Sequence, residues 1–316
     1  LANGHGSGAG EAMRAEAYFL AGEDTLSEAF CHKTIYNANK HGQDSIVLCA
    51  YLQLAKIALL RGDAASYEQA VKNINYRVNI ATEQRTEFVG DLCISFLSLL
   101  RGKTEEVSPW LRDCSSISSG LYEVATDYGH IIHLKYLWQE GGKKNSAEIL
   151  GLAEAYISLA EKLNFLLSKV YILILMGLLK QETGSFGEAQ KYIERALDIA
   201  LPDKVYMPFA EMGNEIMPLM ERALLKKRYQ NDIHSIIALI KRYTNGVNRI
   251  NESLYKNEYK LTPREREISI LVQEGMNNQE IAEKLFISVY TVKNTLKKVF
   301  NKLNIKKREE LRNIKL

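Results

Sequence analysis

The stretch that decides the fold lies near the end of this 316-residue chain and reads Leu261-Thr-Pro-Arg-Glu-Arg-Glu-Ile268, then Gly275-Met-Asn-Asn-Gln-Glu-Ile-Ala-Glu-Lys-Leu285, then Ile287-Ser-Val-Tyr-Thr-Val-Lys-Asn294. Thr262 is followed by Pro263 and, three residues on, by Glu265, which makes a capping box with proline at the first helical position. A helix is therefore predicted to begin there and to end at Gly275.

Two further helices are predicted by signals of the same kind. Asn277 or Asn278 caps the second, and Ser288 caps the third, which runs to about Leu303 after a turn at residues 286–287. One face of the third helix carries apolar residues at three- and four-residue spacing, namely Val292, Leu296, Val299, Phe300 and Leu303. The opposite face carries polar and basic residues without acids, namely Thr291, Lys293, Asn294, Lys297, Lys298 and Asn301. This pattern predicts a helix-turn-helix whose last helix suits the major groove of DNA.

Charge is distributed unevenly along the chain. From residue 260 onward there are 13 Lys and Arg against 7 Asp and Glu, whereas the whole chain has 41 against 38. A basic end on a mildly acidic body is typical of a nucleic-acid module attached to something else. A solvated helix face is the ordinary explanation for a run such as Lys293, Lys297, Lys298 and Lys302. The caps, the turn and the apolar stripe favour instead a helix that reads DNA.

The region from Leu261 to Ile314 resembles the LuxR/GerE family of DNA-binding domains, with the elements T-P-R-E-x-E, N-x-E-I-A, I-S-x-x-T-V-K-x and K-L-x-I in register. The resemblance implies base contacts at Lys293, Asn294 and Lys297. It implies contacts with the DNA backbone at Asn278, Gln279, Thr291 and Lys298. Lysine donates to guanine and asparagine pairs with adenine, whereas lysines on the flank neutralise phosphates without reading sequence.

Two details of this resemblance concern single positions. The family usually has histidine where this chain has Thr295, which leaves a backbone contact at that position unsupported. A short fourth helix is predicted from Lys306 to Ile314, and the family implies a homodimer formed through it, around Leu311.

Glycines recur at a nearly constant spacing in the body of the chain. Each follows an apolar helical run, at separations of 40, 40, 40 and 42 residues, and they are Gly22, Gly62, Gly102, Gly142 and Gly184. A period of this length predicts stacked helical hairpins, each unable to bury its apolar face alone. The clearest unit, Leu173 to Pro202, resembles the tetratricopeptide pattern. Apolar residues between Val205 and Tyr243 are expected to cover the open end of this solenoid.

Residues from about Ala9 to Leu225 also resemble the helical sensor region of MalT-like regulators, the large ATP-dependent members of the LuxR group, through stretches such as Pro208-Phe-Ala-Glu211. The resemblance implies a solenoid that binds an effector or a partner protein in its concave groove. No G-x-x-x-x-G-K-[ST] loop occurs, so no nucleotide-triphosphate site is predicted in this chain. The chain begins at Leu1, and the resemblance implies a longer parent protein with a STAND-type ATPase that binds ATP.

Other classes of site find little support in the sequence. No apolar run approaches eighteen residues and nothing resembles a signal peptide, so we expect a cytoplasmic protein without a membrane partner. Four cysteines lie far apart without a C-x-x-C motif, which predicts reduced thiols, at Cys31, Cys49, Cys93 and Cys114. Asp127, His130 and His133 have a spacing that a metal can use, although a packed pair is the commoner explanation. Neither a cofactor, nor a metal, nor an enzyme activity is predicted.

These observations predict an all-α protein with a tetratricopeptide-like helical-hairpin solenoid over residues 1–243, a linker over residues 244–260 and a small four-helix helix-turn-helix domain over residues 261–316. The predicted function is that of a sequence-specific transcriptional regulator. It would act as a homodimer on double-stranded DNA, with an unidentified small-molecule or protein effector in the solenoid and RNA polymerase as a further partner. The alternative is a protein or peptide receptor with the helix-turn-helix as a secondary module. A phosphorelay output protein is a third class, but no receiver-like alternation of strands and helices is found.

Overall fold

The structure is a computed structural model that describes residues 6–113, 123–226, 228–258, 261–303, 305–312 and 314. Helices are the only regular elements among these residues, which confirms the predicted all-α fold class. Packing divides the chain into two units, Leu1–Asn248 and Arg249–Leu316. In the described ranges, none of the helices combines the length and the apolar character that crossing a membrane requires. Cys114 lies outside these ranges.

The first unit is a stack of helical hairpins. Its helices are α1 (Ala9–Leu20), α2 (Asp24–Asn39), α3 (Asp44–Arg61), α4 (Ala64–Ile80), α5 (Gln84–Leu100), α6 (Pro109–Arg112), α7 (Glu123–Gly141), α8 (Ser146–Leu163), α9 (Leu166–Glu182), α10 (Phe186–Ala200), α11 (Met207–Ala210), α12 (Met217–Leu224) and the first part of α13 (Gln230–Glu258). Short 3₁₀ turns lie at Thr104–Glu106, Gly142–Asn145, Leu201–Asp203 and Gly213–Ile216. Helices α1, α3, α5, α7 and α9 contact one another in series, and this row forms the inner layer of the stack.

Turns of the stack lie at the predicted glycines. Gly62 (φ 72°) joins α3 to α4, and Gly184 (φ 82°) joins α9 to α10. Both have the left-handed backbone conformation that glycine adopts without a steric penalty. The other three glycines of the series also have positive φ. The regular spacing therefore marks the same turn in successive hairpins.

A charged cluster is buried inside the first unit. Lys56 Nζ lies 3.1 Å from Glu211 Oε1, and both side chains are almost completely buried. The Tyr171 hydroxyl donates to Glu211 Oε2 (2.5 Å), and Lys135 Nζ donates to the Glu211 carbonyl oxygen (3.1 Å). Burial lowers the pKa of Lys135 to about 8. Glu211 belongs to the segment between Val205 and Tyr243 that was expected to cover the open end of the solenoid. This segment therefore also supplies a carboxylate to the interior of the first unit.

Helix α13 returns to the first hairpins of the stack. Arg242 Nη1 lies 3.0 Å from Asp24 Oδ1. Gly246 is packed so closely against α3 that a Cβ atom would lie 2.0 Å from the carbonyl oxygen of Leu59. Only glycine fits this position, because neither the backbone of α13 nor that of α3 can yield by that much.

The linker predicted over residues 244–260 is helical as far as the structure describes it, because α13 continues to Glu258. Tyr243, Gly246 and Ile250 are buried and recur at helical spacing, which explains why the helix persists through an Asn-Gly pair. Residues 259–260 lie outside the described ranges. The division between the two units, after Asn248, falls within this helix.

The histidines of α7 have separate packing partners. His133 Nδ1 lies 3.0 Å from the carbonyl oxygen of Leu111, and the His130 ring stacks on Tyr156 with centroids 3.9 Å apart. Burial lowers the pKa of His130 to about 4 and raises the pKa of Asp127 to about 6. Within the described residues, no group of three metal-binding side chains is present. These contacts account for both histidines as packing groups.

Candidate nucleic-acid interface

The second unit packs short helices around an apolar core. Following α13 are α14 (Pro263–Gln273), α15 (Asn278–Lys284), α16 (Val289–Leu303) and α17 (Arg308–Arg312). Helix α16 contacts α14 and α15, and α17 contacts α14. The buried residues of the core are Ile268, Leu271, Val272, Ile281, Ala282, Val292, Leu296, Val299, Leu303 and Leu311. The apolar stripe predicted on the third helix, which is α16, faces this core. The opposite face of α16 therefore points outward.

The predicted capping box at the start of α14 is present and is connected to α16. Glu265 N donates to Thr262 Oγ1 (3.3 Å), and Thr262 N donates to Glu265 Oε2 (2.7 Å). Lys302 Nζ lies 2.6 Å from the same carboxylate oxygen. Burial raises the pKa of Glu265, but the hydrogen bonds from Lys302 and Thr262 outweigh this effect and lower the pKa overall. Lys302 therefore fastens the end of α16 to α14 and differs from the other lysines of the run.

Helix α15 is capped by Asn277 rather than by Asn278. Asn277 Oδ1 accepts from the backbone nitrogens of Gln279 (2.9 Å) and Glu280 (3.1 Å). In return, Asn277 N donates to Glu280 Oε2 (2.7 Å). The helix therefore starts with a second capping box, which provides partners for amide groups that the first turn leaves unpaired.

The turn before α16 is set by local geometry. Phe286 adopts a φ of 54°, and Ile287 N donates to the Ala282 carbonyl oxygen (3.0 Å). Thr291 N donates to Ser288 Oγ (3.0 Å), so Ser288 caps α16 as predicted. This turn and cap fix the direction in which α16 leaves α15.

The outward face of α16 carries the three predicted base-contact residues side by side. Lys293, Asn294 and Lys297 are exposed and lie opposite the buried stripe. Residues three and four positions apart share a face of a helix, so Lys297 lies beside both Asn294 and Lys293. Lys293 and Lys297 form no ion pair within the described part of the chain, whereas Lys284 lies 3.5 Å from Glu274. The ammonium groups of Lys293 and Lys297 are therefore available to bases or phosphates.

Predicted backbone-contact residues on α15 already have partners in the domain. Asn278 Oδ1 accepts from Arg308 Nη1 (2.8 Å), and Gln279 Nε2 donates to Glu283 Oε1 (3.0 Å). A phosphate accepts hydrogen bonds, so Asn278 would offer its amide nitrogen and keep the bond from Arg308. Gln279 would donate the second hydrogen of its amide nitrogen to the phosphate and keep the bond to Glu283.

The backbone-contact residues predicted on α16, Thr291 and Lys298, are both exposed. Thr291 Oγ1 lies 2.8 Å from Ser288 Oγ. Thr295, at the position of the family's usual histidine, donates its hydroxyl hydrogen to the Thr291 carbonyl oxygen (2.8 Å). Its hydroxyl group is thus used within the helix.

Two exposed aromatic residues near the start of α16 were missed by sequence reasoning. Phe286 is 95% exposed and Tyr290 is 74% exposed. The sequence placed Phe286 in the turn without a further role, and no pattern marks Tyr290. Their exposure depends on how α15 and α16 pack, which residue type alone does not reveal.

The homodimer predicted through α17, around Leu311, stays a prediction, and the Leu311 side chain itself faces inward. Leu311 is completely buried in the core of its own domain, and its carbonyl oxygen accepts from Gln273 Nε2 (2.9 Å). A helix as short as α17 must use its apolar residue to attach itself to α14. Contacts between copies through α17 would therefore involve its other residues.

Comparison with known proteins agrees with this geometry. Residues 259–314 match the family described as GerE, bacterial regulatory proteins, luxR family. The predicted LuxR/GerE-type helix-turn-helix is thereby confirmed for this part of the chain.

The relatives found in the same comparison are regulatory proteins. The transcriptional regulatory protein DesR of Bacillus subtilis is 42% identical over 59 residues, which cover 19% of this chain and 30% of DesR. The oxygen regulatory protein NreC of Staphylococcus carnosus is 49% identical over 51 residues, which cover 16% of this chain and 24% of that protein. NreC of Staphylococcus epidermidis is 32% identical over 99 residues, or 31% of this chain and 45% of the relative. The chain thus spans less than half the length of these proteins.

Proposed function

We propose that this chain, whose residues 259–314 match the LuxR family, is a DNA-binding transcriptional regulator. In this proposal α16 enters the major groove of double-stranded DNA, and the first unit adjusts DNA binding in response to an effector. The observation that carries it is the exposed face formed by Lys293, Asn294 and Lys297 on a helix whose other face is buried. A helix anchored on one side can present its free side chains to base edges in a fixed orientation.

Each residue of this face would have a distinct role. Lys293 and Lys297 would donate to guanine O6 and N7, and Asn294 would pair with adenine through its amide. Lys298, Thr291, Gln279 and Asn278 would contact the DNA backbone and position the helix without reading sequence. The names of the relatives, a transcriptional regulatory protein and oxygen regulatory proteins, support the same function.

Dimerisation and sensing are further parts of this proposal. A homodimer on paired half-sites follows from the resemblance to the family, with the contact displaced from the buried Leu311 to outward residues of α17. A sensing role for the first unit is supported by its hairpin stack, because such stacks form extended concave surfaces. RNA polymerase as a partner and a cytoplasmic location stay predictions.

The experiment begins with selection of a target from random double-stranded DNA by the full chain. Affinities for the selected duplex and for a scrambled duplex are then measured by fluorescence anisotropy over a range of salt concentrations. We expect Lys293→Ala to lower discrimination between the two duplexes by about 1–3 kcal/mol, because a base contact is lost. Equal weakening on both duplexes would show that Lys293 contacts phosphate.

Two lysine variants serve as controls. Lys298→Ala should weaken binding to both duplexes alike and reduce the slope of log affinity against log salt by about 1. Lys284→Ala, which removes a lysine paired with Glu274 outside α16, should change neither quantity. If the unaltered chain enriches no sequence at any salt concentration, the receptor alternative is favoured.

A further inference from the structure

A cavity of about 320 Å³ lies among α1, α3, α5 and α7 in the first unit. Small side chains create the space, since α1 contributes Ala12 and α3 contributes Ala50. Leu92, Phe96 and Ile132 form the facing wall. This volume falls at the lower end of the range of small-molecule sites, about 300–1,000 Å³, and the mainly apolar lining is typical of such sites.

Cys49 lies on the cavity wall, where small molecules can reach it. Its side chain is accessible to solvent, yet burial and, to a smaller extent, the charge of Glu16 raise the pKa of its thiol to about 11. Both observations hold together if the thiol lies on the wall of a cavity surrounded by protein, and Cys49 is one of its lining residues. Cys31 and Cys93, in contrast, are buried.

Most polar groups on the cavity wall are already paired. Tyr128 donates its hydroxyl hydrogen to Glu16 Oε1 (2.6 Å). Lys56 lies 3.1 Å from Glu211, and its ammonium group also lies 4.7 Å from the centre of the Phe19 ring. Of the charged side chains on the wall, Lys56 is thus paired with a carboxylate, and Glu16 accepts a hydrogen bond from a neutral hydroxyl.

Gln53 is the exception among these groups. It lines the cavity, is only 6% exposed, and its Nε2 has no hydrogen-bond partner in the described part of the chain. Buried amide donors in proteins are nearly always paired, so an unpaired one indicates a missing partner. The terminal torsion of glutamine is soft, so the amide can turn toward a molecule in the cavity.

We propose that this cavity binds a neutral, largely apolar small molecule that carries one hydrogen-bond acceptor oxygen, and that Gln53 Nε2 donates to that oxygen. An anionic ligand is disfavoured because it would lie beside Glu16 without an unpaired cation. Calling this molecule the effector rests on the proposed function, whereas the binding itself does not.

The first test uses the full chain and a panel of methyl ketones, namely 2-heptanone, 2-nonanone and 2-undecanone. At least one ketone should raise the midpoint of thermal unfolding and slow the alkylation of Cys49 by N-ethylmaleimide, measured by peptide-resolved mass spectrometry. Nonanoate, of the same chain length but anionic, should do so at least tenfold more weakly. Failure of every ketone, or stronger binding of nonanoate, would overturn the proposal.

Variants then test the role of Gln53. Gln53→Leu should weaken ketone binding by roughly tenfold, because the amide donor proposed to bind the ligand oxygen is removed. Gln69→Leu, a change of the same kind at an exposed position of α4 outside the cavity, should leave binding unchanged. Ala12→Met, which adds volume on the half-exposed wall of α1, should block binding without a large loss of stability. Equal ketone binding by Gln53→Leu and the unaltered chain would show that Gln53 does not donate to the ligand.

Measuring DNA binding on the same samples separates the two proposals. Ketone binding without any effect on DNA affinity would leave the cavity site intact and remove its regulatory role. Sequence-selective DNA binding together with failure of every ketone would reject the cavity site and leave the proposed function standing.

Discussion

The two units of this protein bury their charged pairs to different extents. The first unit encloses a charged pair, Lys56 and Glu211, whose side chains are both buried, whereas Ser269 and Glu265 are the buried polar residues beside the apolar core in the described part of the second unit. The corresponding pair of the second unit, Lys302 and Glu265, lies at the edge, with Lys302 about a third exposed. Both pairs join distant parts of the chain, but the pair of the first unit is enclosed, whereas that of the second is partly open to solvent.

The largest expected effect comes from breaking the buried pair. Lys56→Met should destabilise the first unit by about 3–5 kcal/mol, because Glu211 would keep a buried charge without its counter-ion. The control Lys284→Met breaks an exposed pair in the second unit and should cost about 0–1 kcal/mol. Amide hydrogen exchange resolved by unit measures both changes. Similar effects of the two variants would remove the contrast between the units.

A smaller effect is expected where α13 meets α3. Gly246→Ala should destabilise the first unit by about 1–3 kcal/mol, since its Cβ would overlap the Leu59 carbonyl oxygen. Gly151→Ala, on the open surface of α8, is the matched control and should stabilise by about 0.4–1 kcal/mol. Denaturant unfolding shows whether each variant is less or more stable than the unaltered chain, and amide hydrogen exchange shows whether the change lies in the first unit. A neutral Gly246→Ala would mean that α13 does not depend on this close contact.

The smallest effect concerns a local signal in the second unit. Thr262→Ala removes the cap of α14 and should cost about 1 kcal/mol, confined to exchange of the first-turn amides and the core of the second unit. Thr262→Ser keeps the hydroxyl acceptor and should cost much less. Loss of protection in the first unit on Thr262→Ala would show that the two units are not independent in stability.

Sequence reasoning succeeded where the physical cause is local. The capping box at Thr262, the cap at Ser288 and the turn glycines Gly62 and Gly184 involve backbone and side chains within four residues of one another. The choice of Asn277 over Asn278 needed the structure, because both are good caps and neighbouring packing selects one.

Other features had no usable signal in the sequence. Leu311 has the residue type of either a core or a dimer contact, and only the packing of α17 on α14 shows that it is buried. The residues predicted as a linker read as polar, yet Gly246 and Ile250 are buried along one continuous helix.

By itself, the sequence determined the helical class, the hairpin period and the identity of the DNA-binding-type domain, because helix caps, periodicity and motif spacing act over short distances. The tertiary structure decided that Glu211 faces Lys56, that Lys302 is held by Glu265, and that a cavity opens beside Gln53. These features depend on which helices stack together. The three residues predicted to contact bases are placed on one exposed face of α16 by the core behind them, whereas the effector site proposed for the first unit forms only when its helices assemble.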